Sequence, residues 1–120
     1  MTSIANLFVG LVGFLHVCFL VYEMFFWGKS FEPWQLEVEH KKCATASKRL
    51  AANQGLYNGF LAAGLFWGLS SGTAGTSIKI FFLSCVVVAG VFGGVTIKRA
   101  ILFAQAIPGA VALALVLLRL

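Results

Sequence analysis

The stretch IANLFVGLVGFLHVCFLVYEMFFW, residues 4–27, decides the class of this chain. An α-helix rises about 1.5 Å per residue and the hydrocarbon of a bilayer is about 30 Å thick, so an apolar run of this length suits one crossing. No basic residue precedes it, it exceeds the apolar centre of a secretory signal, and it carries His16 and Glu23, so it reads as a retained span. Working outward, three more apolar runs cover about residues 50–69, 78–97 and 101–118. Backbone amides in lipid must be satisfied within a helix or a closed barrel, and the runs lack strand alternation. The expectation is all-α: a four-helix transmembrane bundle and a single integral membrane domain over residues 1–120.

Composition agrees. The chain is 60% hydrophobic and 11% charged, against about 25% charge in a soluble domain. Its formal charge of +5 comes from basic residues in short stretches between apolar runs, which argues against a nucleic-acid-binding face. The three cysteines form no CxxC or Cys/His pair at ligand spacing, which excludes a disulfide framework and a sequence-readable zinc site. His16 is the only histidine inside a run, and Cys18 and Cys85 read as core fillers, so no haem or other cofactor is expected.

Charge also suggests an orientation. Lys29, Lys41, Lys42, Lys48 and Arg49 lie between the first two runs, and Lys98 and Arg99 between the last two; only Lys79 and Arg119 lie elsewhere. By the positive-inside rule both basic connections face the cytoplasm, both termini face away, and the protein is multi-pass in the cell membrane. The same connections can rest on anionic head groups. The 28–49 connection carries Phe31, Trp34, Leu36 and Val38 among charges and is expected on the membrane surface, where Pro33 can open a short helix. Residues 70–77 read as a small-residue turn, and Lys98-Arg99 as a tight reversal between antiparallel neighbours.

In lipid, helices associate through close backbone approach and interhelical hydrogen bonds. Gly55/Gly59, Gly64/Gly68 and Gly90/Gly94 have GxxxG spacing, which serves packing within the chain or a homodimer; the first reading is favoured. Pro108 removes one helical hydrogen bond and frees the Ala104 carbonyl, predicting a kink.

An ionisable side chain in hydrocarbon costs at least about 2.5 kcal/mol on insertion scales, so His16 and Glu23 need partners or water. Seven residues apart, they fall within about 20° of one helical face. The second run opens with Asn53, Gln54, Tyr57 and Asn58 on one arc, while Gly55 and Gly59 share another. Depth arithmetic puts Glu23, Asn53, Gln54, Gln105 and Thr96 in the cytoplasmic half of the bilayer, with His16 and Asn58 reaching the midplane. The expectation is a polar intramembrane pocket, with Asn53 and Tyr57 facing inward and the glycines touching a neighbouring helix.

The run Leu50-Ala-Ala-Asn-Gln-Gly-Leu-Tyr-Asn-Gly-Phe-Leu-Ala-Ala-Gly-Leu65, together with His16, Tyr22-Glu23-Met24-Phe25 before Trp27, and Gln105 before Pro108, resembles the small membrane proteins called domain of unknown function 1304. The resemblance spans essentially the whole chain, matching less well over residues 28–48. It implies a compact four-helix membrane protein and no activity.

Three functions stay open. The pocket binds or transports a small polar or protonatable solute, with Glu23 or His16 coupling protonation to occupancy. Alternatively it is an enzyme site for a lipid or isoprenoid, with Glu23 and His16 as acid and base and Asn53, Gln54 and Tyr57 holding the head group. Or the chain is a structural or partner-binding subunit. The first is favoured.

Overall fold

The computed structural model describes residues 3–27 and 41–120. Among them there is no strand, and four α-helices account for most of the chain: α1 Ile4–Val21, α2 Lys41–Ser70, α3 Thr76–Thr96 and α4 Ile107–Leu117. Two π-helical turns interrupt this pattern, Tyr22–Phe26 after α1 and Leu102–Ala106 before α4, and a 3₁₀ turn, Gly72–Gly75, precedes α3. The short helix expected at Pro33 falls outside the described residues. Helix α2 begins at Lys41, nine residues before the expected start at Leu50, because nothing between Lys41 and Arg49 breaks a helix and the apolar run marks only its hydrophobic part.

Among the described residues two stretches are long and apolar enough to cross a membrane, Ile4–Phe26 and Gly72–Thr96, each with a mean hydropathy of 2.3 over its most apolar window. Their 23 and 25 residues correspond to about 34 and 37 Å of helix. Leu102–Leu117 is apolar but shorter. Helix α2 is longer still, and Lys48, Arg49, Asn53, Gln54 and Asn58 interrupt its apolar character.

The chain divides into two compact units, residues 1–15 with 61–120, and residues 16–60. In the larger unit, Ala5, Val9, Val12, Leu65, Leu83, Val86, Ala112 and Val116 form the buried core. The α3 helix meets α4 and the π turn before it through small residues. A side chain on Gly109 would meet Val86, one on Gly90 would meet Ala106, and one on Gly94 would meet Leu102, so the contacts run in opposite directions along the two helices. The reversal between them is tight, as expected: Ile101 N–H donates to Lys98 O at 3.2 Å and Leu102 N–H to Arg99 O at 3.0 Å. The turn at 70–77 also forms, with Ser70 and Ser71 hydroxyls donating to Trp67 O and Gly72 at φ +60°.

Pro108 does more than bend a helix. It has no amide to offer and its ring crowds the carbonyl four residues earlier. The turn before it widens accordingly: Ile107 N–H donates to Leu102 O, a bond across five residues.

In the smaller unit, the end of α1 lies against α2. A Cβ on Gly55 would stand 2.7 Å from Met24 Cγ and 3.1 Å from Leu20 O, and Gly59 faces the Leu20 side chain. Trp27 Nε1–H donates to Ser47 Oγ at 3.0 Å, and the Trp27 ring stands edge-on to Tyr22.

The approach at Gly90 is directly testable. A Cβ there would lie 2.5 Å from Ala106 N, a backbone atom that cannot rotate away. Gly90→Ala is expected to destabilise by about 1–3 kcal/mol through overpacking, read as a lower thermal midpoint in detergent. Val95→Ala, at a residue 77% exposed, should stay within about 0.5 kcal/mol. Equal midpoints for the two variants would overturn the contact between α3 and the turn before α4.

Candidate functional site

The smaller unit joins two of the polar residues singled out in the sequence. Asn58 Nδ2–H donates to Glu23 Oε1, connecting the π turn after α1 to the middle of α2. Asn58 is buried and Glu23 is partly buried. The pair forms because Gly55 and Gly59, flanking Asn58 on α2, have no side chain to hold Leu20, Glu23 and Met24 away. Glu23 is the only acidic side chain among the described residues, and its partner is a neutral amide. A carboxyl group held this way keeps a second oxygen able to take a proton or a cationic solute.

His16 belongs to the same unit. It is fully buried, its ring edge-on to Phe19 with centroids 5.1 Å apart. Gln105 belongs to the larger unit, where it is buried within the π turn Leu102–Ala106.

Asn53, Gln54 and Tyr57 correct the expectation. All three are exposed, Tyr57 at 54%, so the inward arc of polar side chains is not formed. With Asn53 at 0° on a helical wheel, the buried α2 residues of the smaller unit, Asn58, Ala51 and Gly55, lie between about 140° and 200°. Asn53 and Tyr57, at about 0° and 40°, face away from that side, and Gln54 at about 100° lies beyond its edge. The sequence does sort α2 into a polar arc and a small arc, but the small arc makes the contact, because close backbone approach decides which side turns inward. Asn58 is carried in as the polar residue nearest the glycines. Thr96, also expected among the polar group, is exposed and donates its hydroxyl to Phe92 O at 2.6 Å.

Sequence reasoning missed a second polar contact, in the larger unit. Lys79 is only 8% exposed, and its Nζ donates to Asn6 Oδ1 at 2.9 Å. The signal is present in the sequence, since both residues sit inside apolar runs where a polar side chain needs a partner. Among the described residues no three His, Cys, Asp or Glu side chains come together in a way that could hold a metal ion.

Two substitutions on α2 separate the inward and outward polar residues. Asn58→Ala leaves the part-buried Glu23 carboxyl without its amide donor and is expected to cost about 1–3 kcal/mol. Asn53→Ala, on the exposed side, should cost less than about 0.5 kcal/mol. Thermal unfolding in detergent measures both, and the reverse ranking would restore the inward arc.

Comparison with known proteins bears on the whole chain. Residues 10–117 match the family described as "Protein of unknown function (DUF1304)". No curated protein and no solved structure matches. The match includes His16, Glu23, Asn58, Lys79 and Gln105 and takes in all but the two ends of the chain, so this protein belongs to the DUF1304 family.

Proposed function

We propose that this chain is a multi-spanning protein of the cell membrane that binds or transports a small polar or protonatable solute at the Glu23 and Asn58 pair. The hydrogen bond between those two side chains, made where α1 widens into a π turn, is the observation that carries the reading. π turns inside helices occur frequently at functional sites, and an acidic residue in a membrane span is retained at a cost that a chemical role explains. Glu23 exchanges a proton as the solute enters and leaves, and Asn58 orients the carboxyl group in both states.

The membrane part of the reading is supported by what the apolar helices leave uncovered. Only 28% of the apolar window in Ile4–Phe26 and 33% of that in Gly72–Thr96 is buried. Leu7, Phe14, Phe81, Val88 and Phe92 are exposed, apolar surface of the kind that lipid would cover. The exposed Lys48, Arg49, Lys98 and Arg99 support a cytoplasmic side facing anionic head groups, with both termini on the other side. The glycine pairs are filled from within the chain, which favours internal packing over a homodimer.

Two experiments test this. Cysteines replacing Lys41 and Lys98, labelled in sealed vesicles with an impermeant reagent, are expected to react from the same side; opposite sides would overturn the orientation. For the site, small amines and neutral polar solutes are screened by thermal shift at pH 5, 7 and 9. Solutes that stabilise the wild type in a pH-dependent way are expected to lose that effect in Glu23→Gln, which keeps shape and hydrogen-bonding capacity without the titratable proton. Infrared difference spectra between pH values are expected to lose a carboxyl band in the same variant. Solute binding that stays equally pH-dependent in Glu23→Gln would end proton chemistry at this residue.

A further inference from the structure

The larger unit holds a largely buried lysine and has no acidic side chain of its own to pair with it. Residues 1–15 and 61–120 include no Asp or Glu at all. Lys79 is nevertheless 8% exposed, whereas Lys98 and Arg99 of the same unit are exposed in the ordinary way. A lysine near the end of a helix usually runs its stem along apolar surface and keeps its ammonium in water. Here the stem takes a different course. Lys79 Cγ packs over Gly68 of α2, where a Cβ would stand 2.7 Å from it, and the ammonium is delivered to Asn6 on α1 at 2.9 Å. A glycine on one helix and an asparagine on another thus hold the charge in place.

We infer that Lys79 and Asn6 form a binding site for a single phosphate-type oxyanion, either on a lipid head group or free in solution. Asn6 Oδ1 accepts one of the three ammonium N–H groups, leaving two for a ligand. Because its oxygen is engaged by Lys79, the Asn6 amide keeps its N–H₂ donors for another acceptor. The backbone on which Asn6 sits is tied down, with Asn6 N–H donating to Ser3 Oγ at 3.1 Å. Lys79 also lies in the first turn of α3, where the helix dipole favours an anion. Burying an ammonium beside a neutral amide is unfavourable unless its charge is met, and an oxyanion meets it. This site is separate from the Glu23 and Asn58 pair and does not depend on the function proposed for that pair.

The test uses the full chain in neutral detergent, with thermal unfolding followed in two arms. One arm adds inorganic phosphate against chloride at matched ionic strength; the other adds phosphatidylglycerol against phosphatidylcholine. At saturation the wild-type midpoint is expected to rise by about 5 °C with at least one of them. A rise with phosphate identifies a free anion as sufficient, and a rise with phosphatidylglycerol alone identifies the head group. Lys79→Gln, which keeps a donor for Asn6 without the charge, is expected to lose the rise. Lys98→Gln, on an exposed lysine, should keep it. Asn6→Asp supplies an internal counter-charge and is expected to raise the basal midpoint while abolishing the response, a readout that holds even if Lys79→Gln folds poorly. No rise in the wild type with either anion, or an undiminished rise in Asn6→Asp, would overturn the site.

Discussion

The absence of side chains at a few helix contacts is the constraint on which the rest of this protein depends. Where α3 meets the turn leading into α4 through Gly90 and Gly94, and where the end of α1 meets α2 through Gly55 and Gly59, the neighbouring chain approaches more closely than a Cβ would permit. Such contacts are directional: a helix can come this near only on its small side, so the glycines choose which side of each helix turns inward. In the smaller unit the polar residues of α2 then take their environment from their angle to Gly55 and Gly59. Asn58 lies beside the stripe and is buried, while Asn53 lies across the helix from it and is exposed.

Two π turns modify that geometry at chemically interesting places. One contains Glu23 and the other Gln105. The second has a clear cause in Pro108, whose missing amide and bulky ring prevent an ordinary turn before it. The first contains no proline and ends at Trp27 in an extended conformation, φ −61° and ψ 137°. A bond across five residues inserts one position into the helix and rotates the residues beyond it relative to the regular wheel. The alignment of Glu23 with His16, argued from regular 3.6-residue turns, is therefore altered where the π turn begins.

The two polar contacts that hold an ionisable group by an amide use the same device. Glu23 is held by Asn58 and Lys79 by Asn6, an ionisable group against a neutral amide in each unit. An ion pair would satisfy each charge permanently inside the protein. An amide orients the group while leaving its charge to be answered by a proton, a solute or an anion, which makes such a position responsive to what arrives there. This shared chemistry links the solute site proposed at Glu23 with the anion site inferred at Lys79.

The sequence by itself determined the helical class, the family and the two reversals. These depend on quantities that are local or additive along the chain: apolar length, turn composition, a proline and the identities of a few polar residues. It also separated α2 correctly into a polar arc and a small arc. Which arc faced inward was decided only by tertiary structure, because a helical wheel gives relative angles within one helix and carries no information about the neighbour that covers it. The same reason hid Lys79. Its burial depends on Gly68 and Asn6, eleven and seventy-three positions away in the chain, and only the folded helices bring the three together.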